Sequence, residues 1–136
     1  MSSPDEGLPD TVAQVRDRLA AAGFAEVDHQ GSGGVNHVIE LWSRHLAVRL
    51  VGDRGQWWVE AGPLDARERF DAQVWAACVP SSGPAPEAGG DLADDVAFFL
   101  ANQAALAAAA ADGSIRDQLT AWKRRRARER LGLPPE

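Results

Sequence analysis

The chain has a single cysteine, Cys78, among its 136 residues. An internal disulfide is therefore excluded, and the usage fits a reducing compartment. No apolar run approaches the ~20 residues needed to span a bilayer. The N-terminus MSSPDEGLPD lacks the basic and apolar regions of a secretory signal. These absences predict a cytoplasmic protein without a membrane-spanning segment. No repeat recurs at any period, so solenoid and propeller architectures are excluded.

Residues of catalytic type are equally sparse. The 3 histidines, His29, His37 and His45, fall on different predicted strands, and no Cys or Glu cluster completes a zinc set at a usual spacing. Asp28 opposite His37 would give at most one carboxylate–imidazole pair, and all three read as solvated residues at strand ends. Gly31-Ser32-Gly33-Gly34 is followed by a strand, whereas a phosphate cradle needs a helix there, so it reads as a turn. Cys78 lies beside Trp75 and Val79 and reads as a small buried apolar residue. No catalytic residue, metal or cofactor is expected, and the chain is not read as an enzyme.

What is present begins with charge. The formal net charge is −6. Residues 1–113 hold 17 acidic and 7 basic side chains, a net −10, and residues 114–136 hold 3 acidic and 7 basic, a net +4. An acidic body disfavours nucleic acid, which needs a basic surface to neutralise phosphates. It suits a basic protein partner, because opposite fields speed encounter. The 45% hydrophobic and 25% charged fractions are those of a globular domain, and the length suits one domain over 1–136.

Three runs of alternating polarity organise this domain: VNHVIELW, HLAVRLV and QWWVEA, separated by Ser43-Arg44 and by Gly52 to Gly55. Period-2 patterning between turn residues predicts an antiparallel meander. With Ser43-Arg44 as a two-residue turn, Trp42 lies across from His45, Leu41 from Leu46, Ile39 from Val48 and His37 from Leu50. The second turn then pairs Val51 with Gln56, Leu50 with Trp57 and Val48 with Val59. One face collects Ile39, Leu41, Leu46, Val48, Leu50, Trp57, Val59 and Ala61, the predicted core side. The other collects Val38, Glu40, Trp42, Ala47, Arg49, Trp58 and Glu60. A one-residue slip would exchange the two faces.

Helices complete an α+β fold. Asp10 is the expected N-cap of a helix to about Ala22, with Val12, Val15, Leu19 and Ala22 on one stripe and Gly23 just past its end. Residues 1–9 read as a frayed acidic leader, and Ala25–Gln30 as a polar edge strand. Residues 64–79 predict a short helix, with a fifth strand as the alternative. Pro80 to Gly90 is a surface loop. A long helix follows from about Leu92 to Ala111, with an inner stripe of Val96, Phe99, Leu100, Gln103, Leu106 and Ala110. A last helix is capped by Ser114, with Asp117 in the capping-box position and Ile115, Leu119 and Trp122 pointing inward. The predicted architecture is an N-terminal helix, a three- to four-stranded meander, a short helix and two C-terminal helices on the sheet.

Two surfaces are candidates for function. On the outer sheet face, Trp42 and Trp58 stand with Arg49, Glu40 and Glu60, a composition that protein interfaces favour. In the predicted register Arg49 lies across from Trp58, and Glu40 and Glu60 bridged by its guanidinium are held ionised as a structural network. This face is open to a partner unless the C-terminal helix covers it with Trp122. The other surface is the basic run of Lys123, Arg124, Arg125, Arg126 and Arg128, which reads either as a nucleic-acid contact or as a solvated helix end lying along the acidic body.

The segments RHLAVRLVGDRGQWWVEAGP, FDAQVWAAC and DDVAFFLANQAAL, in that order, resemble small actinobacterial α+β proteins of the immunity type found beside polymorphic toxins. The resemblance spans about residues 35–110 and is one of layout, without a diagnostic motif. It implies a stoichiometric inhibitor of a toxin domain and transfers no functional residue. The expected function is that of a protein-binding module, an inhibitor or escort of another protein, possibly a basic toxin domain. The alternative is a regulator contacting nucleic acid through its C-terminal helix. The oligomeric state is left open.

Overall fold

The computed structural model describes residues 8–31, 36–83, 86 and 90–132. The acidic leader, the Gly31–Gly34 turn, the Pro80–Gly90 loop and the tail end fall wholly or partly outside these residues. The elements run α1 (Asp10–Ala21), β1 (Ala25–Gln30), β2 (His37–Trp42), β3 (Ala47–Asp53), β4 (Gln56–Gly62), β5 (Phe70–Asp71), α2 (Ala72–Cys78), α3 (Leu92–Ala110) and α4 (Gly113–Arg130). The strands form one antiparallel sheet in the order β1-β2-β3-β4-β5. The α+β class, the N-terminal helix, the meander and the two C-terminal helices are as the sequence predicts. The sheet has five strands where three or four are expected.

The faces of the meander are as predicted, but the pairing is displaced by two residues in both hairpins. Ile39 lies across from Leu50, Leu41 from Val48 and Trp42 from Ala47. Leu50 then lies across from Val59, and Val51 from Trp58. The cause is turn length. The first loop is longer than two residues: Ser43 N donates to Leu46 O, and Ser43 Oγ accepts from the backbone N–H groups of His45 and Leu46. The second is shorter than expected, with only Arg54 and Gly55 between the paired Asp53 and Gln56. Both have positive φ, 54° and 83°, which matches the twist of a two-residue hairpin. A two-residue displacement leaves each side chain on its own face.

The inner face carries Ile39, Leu41, Val48, Leu50, Val59 and Ala61, all buried. Against them pack Val12, Val15 and Leu19 of α1 and Val96, Phe99 and Leu106 of α3. Each large side chain so buried contributes roughly 1.5–3 kcal/mol. Helix α3 lies against α1 and β4, whereas α4 packs chiefly on α2 and α3. At 19 residues α3 is long and apolar enough by composition to cross a membrane, which corrects the expectation that no such run exists. Here it is the central helix of the core, with Asp94 and Asp95 in its first turn.

Residues 64–79 supply both alternatives. Phe70–Asp71 forms β5, and Asp71 then caps α2 by accepting from Val74 N at 2.9 Å. Two other caps differ from expectation. Pro9 precedes α1 without a side-chain cap, and Asp112, not Ser114, caps α4 by accepting from Ser114 N at 2.8 Å. Of the α4 stripe, Leu119 is buried, Ile115 is partly buried and Trp122 is 38% exposed. Trp122 falls at helical spacing, yet its ring stays partly exposed with the guanidinium of Arg125 5.0 Å from its centre.

Candidate functional site

The outer face can be laid out from the register as three rows across β2, β3 and β4. Val38, Val51 and Trp58 form the first, Glu40, Arg49 and Glu60 the second, and Trp42, Ala47 and Gly62 the third. Arg49 therefore sits between two glutamates and not across from Trp58 as predicted. The tryptophans occupy diagonal corners, roughly 17 Å apart from strand spacing and rise. They bracket the charged row and do not touch as one aromatic cluster. Trp42 is 40% and Trp58 38% exposed. Each turns its indole N–H towards the glutamate two residues away on its own strand: Trp42 Nε1 donates to Glu40 Oε1 at 3.4 Å, and Trp58 donates to Glu60.

The two glutamates titrate in opposite directions. Burial works to raise the pKa of Glu40, but it is outweighed by the hydrogen bond and charge of Arg69, then by Trp42 and Arg49, and the carboxyl is held below its ordinary value. For Glu60 burial prevails over Lys123 and Arg49, with Asp71 adding to it, and the pKa rises. Arg49 acts on both acids as the predicted network has it, but the two environments differ. The difference is Arg69, 4% exposed, whose Nε and Nη2 donate to Glu40 Oε1 at 2.9 and 2.6 Å. Its Nη1 donates to the carbonyls of Pro63, Ala66 and Glu68. Arg69 thereby folds the 63–69 segment over Ala47 and Gly62, closing that corner of the face. The sequence reading passes over it, because RERF looks like ordinary exposed charge.

Trp42 and Trp58 keep part of their surface exposed, although Lys123, Arg126 and Ala127 of α4 line a groove together with Trp58. The basic run of α4 divides into two sets. Lys123 donates to Arg69 O at 2.9 Å and lies 5.5 Å from the Phe70 ring centre, and Arg126 Nη1 donates to both Asp71 carboxylate oxygens at 2.7 Å. These two side chains fasten the helix to the acidic body. Arg124 and Arg125 are exposed, and Arg128 is partly buried.

Between β4, α2, α3 and α4 lies that groove, of about 870 Å³. Gln56 to Glu60 line it along β4, and Asp71, Asp95, Lys123 and Arg126 contribute its charge. Asp95 is pushed up to about 6, first by burial and then by the charges of Asp71, Asp91 and Asp94. No sequence signal singled this residue out, since it reads as favourable first-turn charge.

The histidines correct a further expectation. His37 is 1% exposed, on the inner face, with its ring 5.6 Å from Trp57. Its Nδ1 is 3.3 Å from His29 Nε2, and His29 Nδ1 in turn lies 3.5 Å from Glu26. A bulge between Glu26 and Asp28 shifts β1, so Asp28 pairs with Glu40 and never reaches His37. Among the described residues no group of three or more His, Cys, Asp and Glu side chains has metal-binding spacing. Cys78 is partly buried, and burial pushes its thiol up, away from thiolate chemistry. Comparisons with protein-family models, curated proteins and solved structures find no match to this chain.

Proposed function

We propose that the chain is a non-enzymatic protein-binding module, an immunity-like inhibitor or an escort, acting in the cytoplasm on a basic partner without any cofactor. Its docking surface is the outer sheet face of Trp42, Arg49, Trp58, Glu40 and Glu60. One observation carries this reading: two tryptophans stand about two-fifths exposed at opposite corners of a charged row, on a sheet whose other face is sealed. Exposed aromatics beside an arginine are the composition of interface hot spots. The net −10 of residues 1–113 favours a positively charged partner. The inhibitor role is what the sequence resemblance to immunity-type proteins implies.

The nucleic-acid alternative draws less support, because Lys123 and Arg126 are engaged with the chain's own backbone and carboxylates. Capture of partners from the native lysate with wild type and with Trp42→Ala, Trp58→Ala and Arg49→Glu tests the proposal. A partner retained by wild type and lost with Arg49→Glu and either tryptophan variant is the expected result. Capture unchanged by all three substitutions, or salt-dependent DNA binding abolished by deleting residues 123–136, would overturn it.

A further inference from the structure

The two edges of the sheet are finished differently. On β1, the exposed edge carries Glu26, Asp28 and Gln30 and is broken by the bulge, features that discourage a strand from adding there. On β4, β5 covers only Glu60 and Ala61 before the chain turns into α2. Along Gln56–Val59 no strand pairs with that edge among the described residues, and this is the length of β4 that lines the groove. The walls are Gln73 and Val74 of α2, Asp95 of α3, and Lys123 and Arg126 of α4. An unpaired strand edge at the floor of a groove is the geometry that accepts an extended peptide as an added strand.

Charge selects among occupants. The lining holds four acids, Asp53, Glu60, Asp71 and Asp95, against Lys123 and Arg126. Arg126 is spent on Asp71 and Lys123 on the Arg69 carbonyl. Asp53 and Asp95 have no ion-pair partner among the described residues. We infer that the groove beside Gln56–Val59 binds an extended segment of a partner protein as an added β-strand, with a Lys or Arg side chain of that segment meeting Asp95. This rests on the protein-binding reading and places a second contact at the edge of the outer face. The raised pKa of Asp95 agrees with it, since a cation is what the crowded carboxylates lack.

Selection of displayed random 12-residue peptides on the full chain, followed by amide chemical-shift mapping of the enriched peptides, tests the inference. Expected are Lys- or Arg-containing peptides whose binding perturbs Gln56–Val59 and newly protects those of its amides that point away from β3. Asp95→Lys, and independently Gln73→Lys, should weaken them about tenfold or more, each variant first shown to keep its fold. Binding should also be weaker at pH 5 than at pH 7.5, because Asp95 is protonated at the lower pH. Enrichment of no peptide, shifts centred on β1 or Trp42, or indifference to both lysine variants would overturn the inference. So would protection, in the free monomer or only in a concentration-dependent dimer, of those Gln56–Val59 amides that point away from β3, which would assign the groove to the chain itself or to a second copy. A captured partner that depends on Trp42 and Arg49 but ignores Asp95→Lys would sink the groove and leave the outer-face proposal standing.

Discussion

On the inner face of the sheet, Ile39, Leu41, Val48, Leu50, Val59 and Ala61 are almost fully buried by α1 and α3, whereas on the outer face only one corner is closed. That corner, over Ala47 and Gly62, is sealed by a loop strung on the guanidinium of Arg69. The opposite corner, at Trp58, lies open beside the groove. The inner closure is non-directional and spread over many contacts, so it tolerates the removal of any one only at a graded cost. The outer closure is directional and concentrated in one side chain. Closing one corner of the sheet face by polar bonds leaves Trp42 and Trp58 accessible at two other corners.

Breaking the concentrated closure should give the largest effect. Arg69→Ala leaves Glu40 and three backbone carbonyls without their donor and is expected to cost about 3–5 kcal/mol in denaturant unfolding. Glu40→Ala should cost less than Arg69→Ala, because the three carbonyls keep their donor. Equal costs would mean that the loop is held by the ion pair alone. On the inner face Leu50→Ala is expected to cost about 2–5 kcal/mol. Trp42→Ala, on the same sheet but facing out, should stay within about 1 kcal/mol while affecting partner capture. A large loss of stability with Trp42→Ala would erase the distinction between the faces.

The inner face was legible in the sequence because alternation survives a two-residue displacement. The alternating runs around Ile39, Leu50 and Val59 give their faces without any knowledge of turn length. The neighbours across the strands were not legible, since they depend on Ser43 capping a longer loop and on Arg54 accepting a left-handed conformation. That shift removed the expected Arg49–Trp58 pair and set Arg49 between Glu40 and Glu60. Arg69 could not be read at all: its carboxylate partner lies 29 residues away, and nothing local separates it from exposed Arg67. His37 looked like a solvated strand end because its neighbours on the inner face, His29 and Trp57, come from other strands. The outer tryptophans were legible as a pair, and their diagonal separation was not.

A smaller effect sharpens the same comparison within one row of the inner face. Gly52 lies across from Trp57, and a Cβ built on it would come within 2.6 Å of the indole ring. Gly52→Ala must push the ring off β3 or displace the strand, at about 1–3 kcal/mol. Paired with Trp57→Ala, the cost of the alanine at position 52 should fall towards zero. Additive costs in that double-mutant cycle would show that the ring is not what excludes a side chain there.

The smallest effect expected is a pH dependence, and two groups contribute to it with opposite sign. His37 is lowered from 6.5 by burial first and by the charge of His29 second; His29, Trp57 and, beyond His29, Glu26 and Arg16 surround it. The unfolded chain then binds more protons than the folded one below about pH 6.5, so this residue's contribution is full above that value and is lost as the pH falls. Asp95 is raised from 3.8 to about 6, so the folded chain holds the extra proton, and stability declines as the pH rises from about 4 to 6. The two slopes oppose one another in wild type. In Asp95→Asn that opposing slope is removed, and stability should climb more from pH 5 to pH 7 than in wild type. In Asp95→Asn with His37→Phe that climb should flatten, and a climb that persists would assign the titration to a group other than the inner-face histidine.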